Sequence, residues 1–375
     1  MSTLKVEVIK VDNVLPHSNA DRLEIAVVKG WNCVVQKGEW HSGDLGIYFP
    51  IDSMLHPTVE AFLFPPESKV KLTNSRIRTI KLRGAISQGL LVSISDAKRL
   101  WSIVPVEGAD LTAVTGTKKY EPHDNMASQN HTDNRKRTKS PNPFFHKYTD
   151  IENFKNHITL FKPGEAIVVQ EKIHGTNFRA GWVLYHADTW WKKVLAFIGL
   201  APMWEFVYGS HNVQLQNRFL PATYYDKNIY AEVVHRYDLK NRIPRNMVIY
   251  GEIYGVDVQK GYNYGLDKTG AHRRSLVVFD VKVGAYKYMD YTLMRAAIAS
   301  MDLARPPEFY VGAYVSQEHL KSMVDGPSAL NFHGSQKYRE GVVVRAYTEQ
   351  VCYLGRKILK YKSDEFLALF EDDTH

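Results

Sequence analysis

Lys172 stands at the end of a β-type run, 166–170, within Glu171-Lys172-Ile173-His174-Gly175-Thr176-Asn177-Phe178. A lysine at a strand end with a glycine close behind presents an amine at the mouth of a pocket and lets backbone approach a ligand. An amine attacks only when neutral, so such a lysine needs nearby cations or desolvation to lower its pKa. Lys-x-x-Gly alone is a common surface sequence, and four later stretches add to it. Tyr250-Gly251-Glu252 follows another β-type run and Phe279-Asp280 ends the next. Glu340 enters the apolar stretch Gly341-Val342-Val343-Val344-Arg345, and Leu359-Lys360-Tyr361-Lys362 sets two lysines two apart. Residues two apart share a strand face, so Lys360 and Lys362 can reach one anion together. The set holds a nucleophile, an aromatic platform for a base, carboxylates for metal and ribose, and a lysine pair for phosphate, which are the needs of nucleotidyl transfer. Taken singly, each has a plainer reading. Phe279 is core, Glu252 a surface strand end, Glu340 a partner of Arg339 or Arg345, and the lysines a solvated strand face.

The elements that must position these residues follow from patterning. Beyond Phe144, strands are expected at 166–170, 247–252, 276–281, Gly341–Ala346 and 358–360, and helices at 293–301 and 317–323. That is an α+β layout of antiparallel sheets with flanking helices. Before it, residues 1–115 show short strand patterns at 5–11, Leu23–Val28, 33–35, 45–51, 79–83 and 89–94, separated by Gly, Asn, Asp and Pro. This reads as a small barrel. Residues 116–143 are polar and include the basic run Arg135-Lys136-Arg137, which reads as a linker or loop. The expected domains are therefore 1–115, a connecting 116–143, and 144–375.

Among 375 residues, 44% are hydrophobic and 23% charged, ordinary for a globular chain, and the net charge of +8 suits polyanion partners. No apolar run is long enough to span a bilayer, and no membrane partner is expected. The most apolar segment, 194–202, reads as core or as a partly buried loop. The two cysteines, Cys33 and Cys352, form no disulfide framework or zinc pattern, so an intracellular, reducing compartment is expected. A monomer is also expected.

In their order, Lys-Ile-His-Gly, Tyr-Gly-Glu, Val-Phe-Asp, Glu-Gly-Val-Val-Val-Arg and Lys-Tyr-Lys resemble the motifs of covalent nucleotidyltransferases (an adenylyltransferase, ATP-grasp-like domain). The T4 RNA ligase 2-like group is the nearest branch. His174 in place of the usual Asp, the following Thr176-Asn177-Phe178, Tyr148-Thr149-Asp150-Ile151-Glu152-Asn153, and Val258-Gln259-Lys260 are similar to that group. The stretch Leu15-Pro16-His17-Ser18-Asn19-Ala20-Asp21-Arg22-Leu23 resembles the opening of tRNA-binding OB domains, or else is a structural turn.

The resemblance implies an ATP-dependent ligase that seals 3′-OH and 5′-phosphate RNA ends, in nicked duplexes or broken RNAs, as a repair activity. Lys172 would carry AMP. Glu171, through backbone and side chain, and Ile173 would border the adenine, with Phe279 stacked on it. Glu252 would hold the ribose and help orient metal-bound water, and Glu340 would be the main carboxylate for Mg²⁺ or Mn²⁺, two ions in all. Lys360 and Lys362 would meet the base edge and α-phosphate, and His174 and Asn177 would act at the joining step. The group's nucleotide-contacting arginine has no evident counterpart. His211 stands where it is sought, with Arg179 and Arg218 as alternatives. The barrel would bind RNA through aromatics such as Trp31, Trp40 and Tyr48. The rivals are a DNA ligase or capping guanylyltransferase, which normally carry an OB domain after the last motif, and a non-catalytic RNA-binding module.

Overall fold

Alternating apolar residues and frequent turn-formers make this a chain of short strands. The computed structural model describes residues 4–68, 71–102, 106–120, 141–187, 189–215, 228–259, 261–267, 273–284, 287–330 and 337–370. The basic run Arg135-Lys136-Arg137, Lys260 and Arg218 lie outside the described residues. Two compact units result. One contains the described residues up to Tyr120 plus the helix Asp364–Phe370, and the other the described residues from Pro141 to Ser363.

The first unit is an OB-type barrel of antiparallel strands. Glu7–Lys10, Leu45–Phe49 and Leu90–Ser93 form one sheet, Asn13–Pro16, Leu23–Val28 and Trp31–Gln36 a second, and Thr79–Leu82 pairs with Ala85–Gln88. Val34 N–H donates to Ser87 Oγ at 3.0 Å, tying the second sheet to that hairpin. Trp31, Trp40 and Tyr48 are 2%, 5% and 4% exposed and sit in the core beside Ile9, Val28 and Cys33. They therefore offer no stacking surface for bases, because strand alternation turns Trp31 and Tyr48 inward and Trp40 packs in the same core from a loop. The Leu15–Leu23 stretch folds as a structural turn. His17 Nδ1 accepts from Asn19 N–H, and Asn19 Nδ2 donates to Arg83 O.

The domain boundaries differ from expectation in two places. Lys118–Lys119 pairs with Ser53–Met54, so the first unit runs past residue 115. Helix Asp364–Phe370 belongs to the first unit, with Gln88 Nε2 donating to Asp364 Oδ1 at 2.9 Å. No periodicity in the sequence tells a terminal helix which core it will join.

The second unit contains two sheets. A six-stranded antiparallel sheet runs in the order Gln214–Leu215, Trp204–Gly209, Thr176–Leu184, Met247–Gly255, Arg274–Val283, Lys287–Tyr288. One face buries Phe178, Ala180, Trp182, Phe206 and Ile249 with Tyr230 and Val233 of helix Ile229–Arg236 and Met294 and Ile298 of helix Tyr291–Ser300. A five-stranded sheet runs Glu152–Asn153, Ile358–Lys362, Gly341–Ala346, Ala166–Glu171, Glu308–Ala313. Its Ile167, Val169, Val342, Val344, Leu359 and Tyr361 pack against Phe154, Phe161 and Leu320. Among the described residues no helix is long and apolar enough to cross a membrane.

Phe366, fully buried on the C-terminal helix, tests the placement of that helix. Phe366→Ala should destabilise the first unit by about 3 kcal/mol, the usual cost of such a cavity. A scanning-calorimetry trace would show its transition lowered and that of the second unit unmoved.

Candidate active site

The strand Ala166–Glu171 fixes the site through its alternation. Gln170 pairs with Val343 and Glu171 with Val342, while Lys360 pairs with Val343 and Lys362 with Gly341. Cross-strand partners point to the same side. Gln170, Lys172, Val343, Arg345, Ile358, Lys360 and Lys362 therefore share one face, opposite the buried Val342, Val344 and Leu359. That face, apart from Lys362, forms the floor of a cavity of about 230 Å³ whose lining includes Lys172, Ile173, Asn177, Glu252, Phe279 and Lys360.

Glu171 follows the opposite face. Its Oε2 accepts from Ala329 N–H at 2.8 Å, away from the cavity, so only its backbone borders the space. The expectation that its side chain also lines a base site is thus corrected by the period of two.

Lys172 Nζ donates to Glu340 Oε2 at 2.7 Å. Lys362 Nζ lies 3.6 Å from Glu340 Oε1, and His174 Nδ1 is 3.6 Å from Oε2. Glu340 is thus the hub, and it does not pair with Arg339 or Arg345. Gly341 has φ +141°, and a Cβ there would lie 2.1 Å from Tyr361 O, so the turn into this strand admits only glycine. Gly175 is equally confined, because a Cβ would lie 2.2 Å from Ile253 O. This close approach brings the loop after Lys172 against the strand that carries Glu252.

Charge and burial compete at each group. Burial alone pushes the Glu340 carboxyl up, but Lys172, His174 and Lys362 override it and hold it well below the usual carboxylate range. Burial alone pulls the Lys172 amine down, yet Glu340 and Glu252 keep it above its ordinary value. Burial, with the Glu340 charge adding and Lys172 opposing, pushes Glu252 up to about 8. Burial and the charges of Lys362 and Lys172 bring Lys360 down to about 8. Lys172 is thus an ammonium at neutral pH, the reverse of the lowered pKa expected of a nucleophile.

The six-stranded sheet supplies the other wall. Asn177 and Glu252 are cross-strand partners and share its face. The register slips between Tyr250 and Gly251, so that Asp280 faces Tyr250, Val278 faces Gly251, and Phe279 is the extra residue. Such a bulge re-aims a side chain, and here it turns Phe279 out of the core pattern to the cavity. Asp280 is fully buried beneath it. Tyr148 Oη donates to Asp280 Oδ2 at 2.8 Å, as does Arg356 Nη1 at 2.8 Å, and Arg345 Nη1 lies 3.3 Å away. The Tyr148 ring meets Phe279 edge-on at 5.0 Å.

Three residues outside the expected set hold the Lys172–Gly175 loop. His174 N–H donates to Tyr264 Oη at 2.6 Å, Tyr262 packs edge-on against the His174 ring at 5.2 Å, and Gln259 Nε2 donates to Gly175 O at 2.6 Å. Of these only Gln259 had a signal in the sequence, its place in Val258-Gln259-Lys260. His211 lines the cavity and lies 3.8 Å from Asp150. Arg179 is instead committed to Ser210 O and Phe145 O, where burial pulls its guanidinium down to about 10. Gln170 Nε2 and Asn177 Oδ1 are buried without a hydrogen bond. Such groups in a cavity call for a polar ligand.

The second unit thus carries a lysine at a strand end, ringed by carboxylates and cations beside a cavity, and the first unit is an OB-type barrel. The model of the RNA ligase family matches residues 165–362, more than half of the chain, and that of an OB-fold domain matches residues 5–94. The chain belongs to the RNA ligase family. An apo form of the Naegleria gruberi RNA ligase is similar at a TM-score of 0.69 and 22% identity, covering 99% of this chain and 100% of that one. A variant of that enzyme solved with ATP and Mn gives 0.67 and 23%, over 96% and 98% of the two chains. Another, with AMP and Mn, gives 0.67 and 22%, over 98% of each. No curated protein matches the chain.

The ion pair makes a direct prediction. In Glu340→Gln the carboxylate that raises the amine is gone and desolvation, which lowers it, remains. The pH at which Lys172 becomes reactive to acetic anhydride in metal-free protein should therefore move downward. An unchanged pH profile, read by mass spectrometry of the Lys172 peptide, would show that the pair does not control the amine.

Proposed function

We propose that this protein is an ATP-dependent RNA ligase joining a 3′-OH to a 5′-phosphate through lysyl-AMP and RNA-adenylate intermediates, in the repair of nicked or broken RNA. The observation that carries this is Lys172 within 2.7 Å of Glu340, at the edge of a cavity also lined by Phe279, Glu252 and Lys360. Membership of the RNA ligase family supports it, as do the ATP and AMP in structures of the similar Naegleria enzyme.

In the first step Lys172 loses its proton to solvent once Glu340 is engaged elsewhere, its Nζ attacks the α-phosphorus of ATP, the bond from that phosphorus to the bridging oxygen breaks, and pyrophosphate leaves. Phe279 stacks on the adenine, while Ile173 and the Glu171 backbone border it. Glu252 holds the ribose. Lys360 and Lys362 offset the charge that builds on the phosphate oxygens. AMP then passes to an RNA 5′-phosphate. In the last step a 3′-OH attacks, aided by His174 and Asn177, and AMP departs. Throughout, in-line placement and charge do most of the work.

The residues fit a divalent ion. Glu340, bonded to Lys172, and Glu252, on the cavity wall, are hard oxygen donors. Among the described residues no cluster of three or more ligands forms a closed cage. Such an open donor set suits Mg²⁺ or Mn²⁺, which keep waters and share phosphate oxygens. Glu340 would be the principal ligand and Glu252 would orient bound water. A second ion would sit on the leaving phosphates. The chemistry such ions supply is charge for the phosphate oxygens, together with occupation of the carboxylate that otherwise holds the Lys172 ammonium. His211 takes the place of the nucleotide-contacting arginine in this reading, since it lines the cavity and Arg179 does not. An intracellular, reducing compartment belongs to the same proposal, with Cys33 and Cys352 as free thiols.

Incubation with α-labelled ATP and Mg²⁺ or Mn²⁺ tests the reading. Wild type should acquire acid-stable label and join a nicked RNA duplex, and Lys172→Ala should do neither. Folded, AMP-free wild type that takes no label with either metal would refute it, and label from GTP alone would point to a capping-type transferase.

A pH dependence also follows. Raising pH through about 8 removes a positive charge at Lys360 and adds a negative one at Glu252. Both changes oppose a triphosphate, so affinity for a non-hydrolysable ATP analogue, measured with chelator present, should fall as pH rises from 7 to 9. A flat profile would mean that neither group meets the nucleotide.

A further inference from the structure

The segment 194–202, expected as core or as a partly buried loop, belongs to the most exposed apolar cluster of the described residues. Strands Thr176–Leu184 and Trp204–Gly209 pair as a hairpin, with Leu184 opposite Trp204, and the helix Trp190–Phe197 is inserted at its tip. Trp190 is 62% exposed, Phe197 91% and Leu200 71%. Isolated apolar residues are normal on a surface, but a contiguous cluster marks an interaction site.

The helix is sided. At ~100° per residue, Phe197, Trp190, Val194, Trp191 and Leu195 fall within an arc of ~160°, with Lys192 and Lys193 in the remainder. Between Asp188 and Glu205 those two lysines are the only charged residues. Trp190 and Trp191 stack on each other at 3.9 Å, and the chain turns back after the helix, with Leu200 N–H donating to Leu195 O at 2.9 Å. The patch is thus a short amphipathic helix with a cationic side, tryptophans at its start and aliphatic side chains through its middle.

We infer that this hairpin-tip helix docks on an anionic lipid bilayer, lying in the interface plane without crossing it. The charge is complementary to acidic headgroups, and the mixture of Trp, Phe and aliphatic residues opposite lysine is that of an interfacial helix. Tryptophan rings favour the headgroup level. RNA fits less well, because bases could stack on Trp190, Trp191 and Phe197 but would leave Val194, Leu195 and Leu200 exposed, whereas a bilayer covers all six. The site is remote from the residues assigned to nucleotidyl transfer and does not rest on that assignment. It departs from the expectation that the protein has no membrane partner.

The full-length protein should float with vesicles of phosphatidylcholine containing phosphatidylglycerol, with a blue shift of tryptophan emission, and bind pure phosphatidylcholine far less. Phe197→Ser combined with Leu200→Ser should lower the floated fraction by about tenfold, because the apolar face drives insertion. Lys192→Gln with Lys193→Gln should remove the preference for anionic vesicles. All these side chains are outside the catalytic set, so lipid-free joining of a nicked RNA should stay at the wild-type level and report correct folding. No flotation of wild type, or equal flotation of the serine variant, overturns the inference. A wild-type dimer that the serine variant dissociates, with no vesicle binding, would instead make the helix a self-association surface. A loss confined to RNA affinity would make it an RNA contact.

Discussion

The ion pair between Lys172 and Glu340 joins residues 168 positions apart and organises everything around it. A buried carboxylate is tolerated only when cations answer it. Lys172 and His174 approach one Glu340 oxygen and Lys362 the other, so three basic residues from two motifs far apart in sequence converge on one anion. The consequence is a resting site whose lysine is held as an ammonium. On the proposed reaction, the amine becomes a nucleophile only when something else engages Glu340. The group that engages Glu340 thereby also lets the amine lose its proton.

Strand alternation imposes the second constraint. Gln170, Lys172, Lys360 and Lys362 share a face because their strands pair in one register. A one-residue slip would move them all under the sheet. The aromatic wall needs the opposite device, a break in alternation, and the bulge at Phe279 supplies it. Asp280 anchors that bulge from below. Arg356 donates to Asp280 while reaching Glu349 with its remaining nitrogens, and Arg345 spans the same two carboxylates. Removing one member would leave a buried charge unanswered, so the network fixes where Phe279 and Tyr148 stand.

This explains which parts were legible in the sequence. The ordered motifs revealed the strands that carry the candidate site, and Lys172, Glu252, Phe279, Glu340 and Lys360 do meet, because each is tied to a local strand pattern. The sidedness of Glu171 was not legible, since a motif names a residue without its face. Trp31, Trp40 and Tyr48 suggested a binding surface by type alone, but in a small barrel large aromatics are the natural core. The strand Thr176–Leu184 was hidden by its Arg179 and Gly181, which interrupt the apolar pattern. Tyr262 and Tyr264 lie in a loop rich in glycine and asparagine, where periodicity carries no information. The exposed helix, expected as core or as a partly buried loop, was less legible for a deeper reason. Apolar composition predicts burial, and whether the burying partner lies within the chain is a property of the fold.

The strand Thr176–Leu184 connects the two functional readings. Asn177 at its start lines the cavity, and Leu184 at its end leads into the exposed helix. At about 3.3 Å per residue a nine-residue strand spans roughly 26 Å between those ends. Its middle is clamped on both sides, by Trp204–Gly209 and Met247–Gly255. Arg179 adds bonds to Ser210 O and Phe145 O. A helix held on a surface at one end of such a strand would leave the cavity at the other end clear of that surface. Anchoring and joining are therefore compatible on one rigid element, and neither requires the other to move.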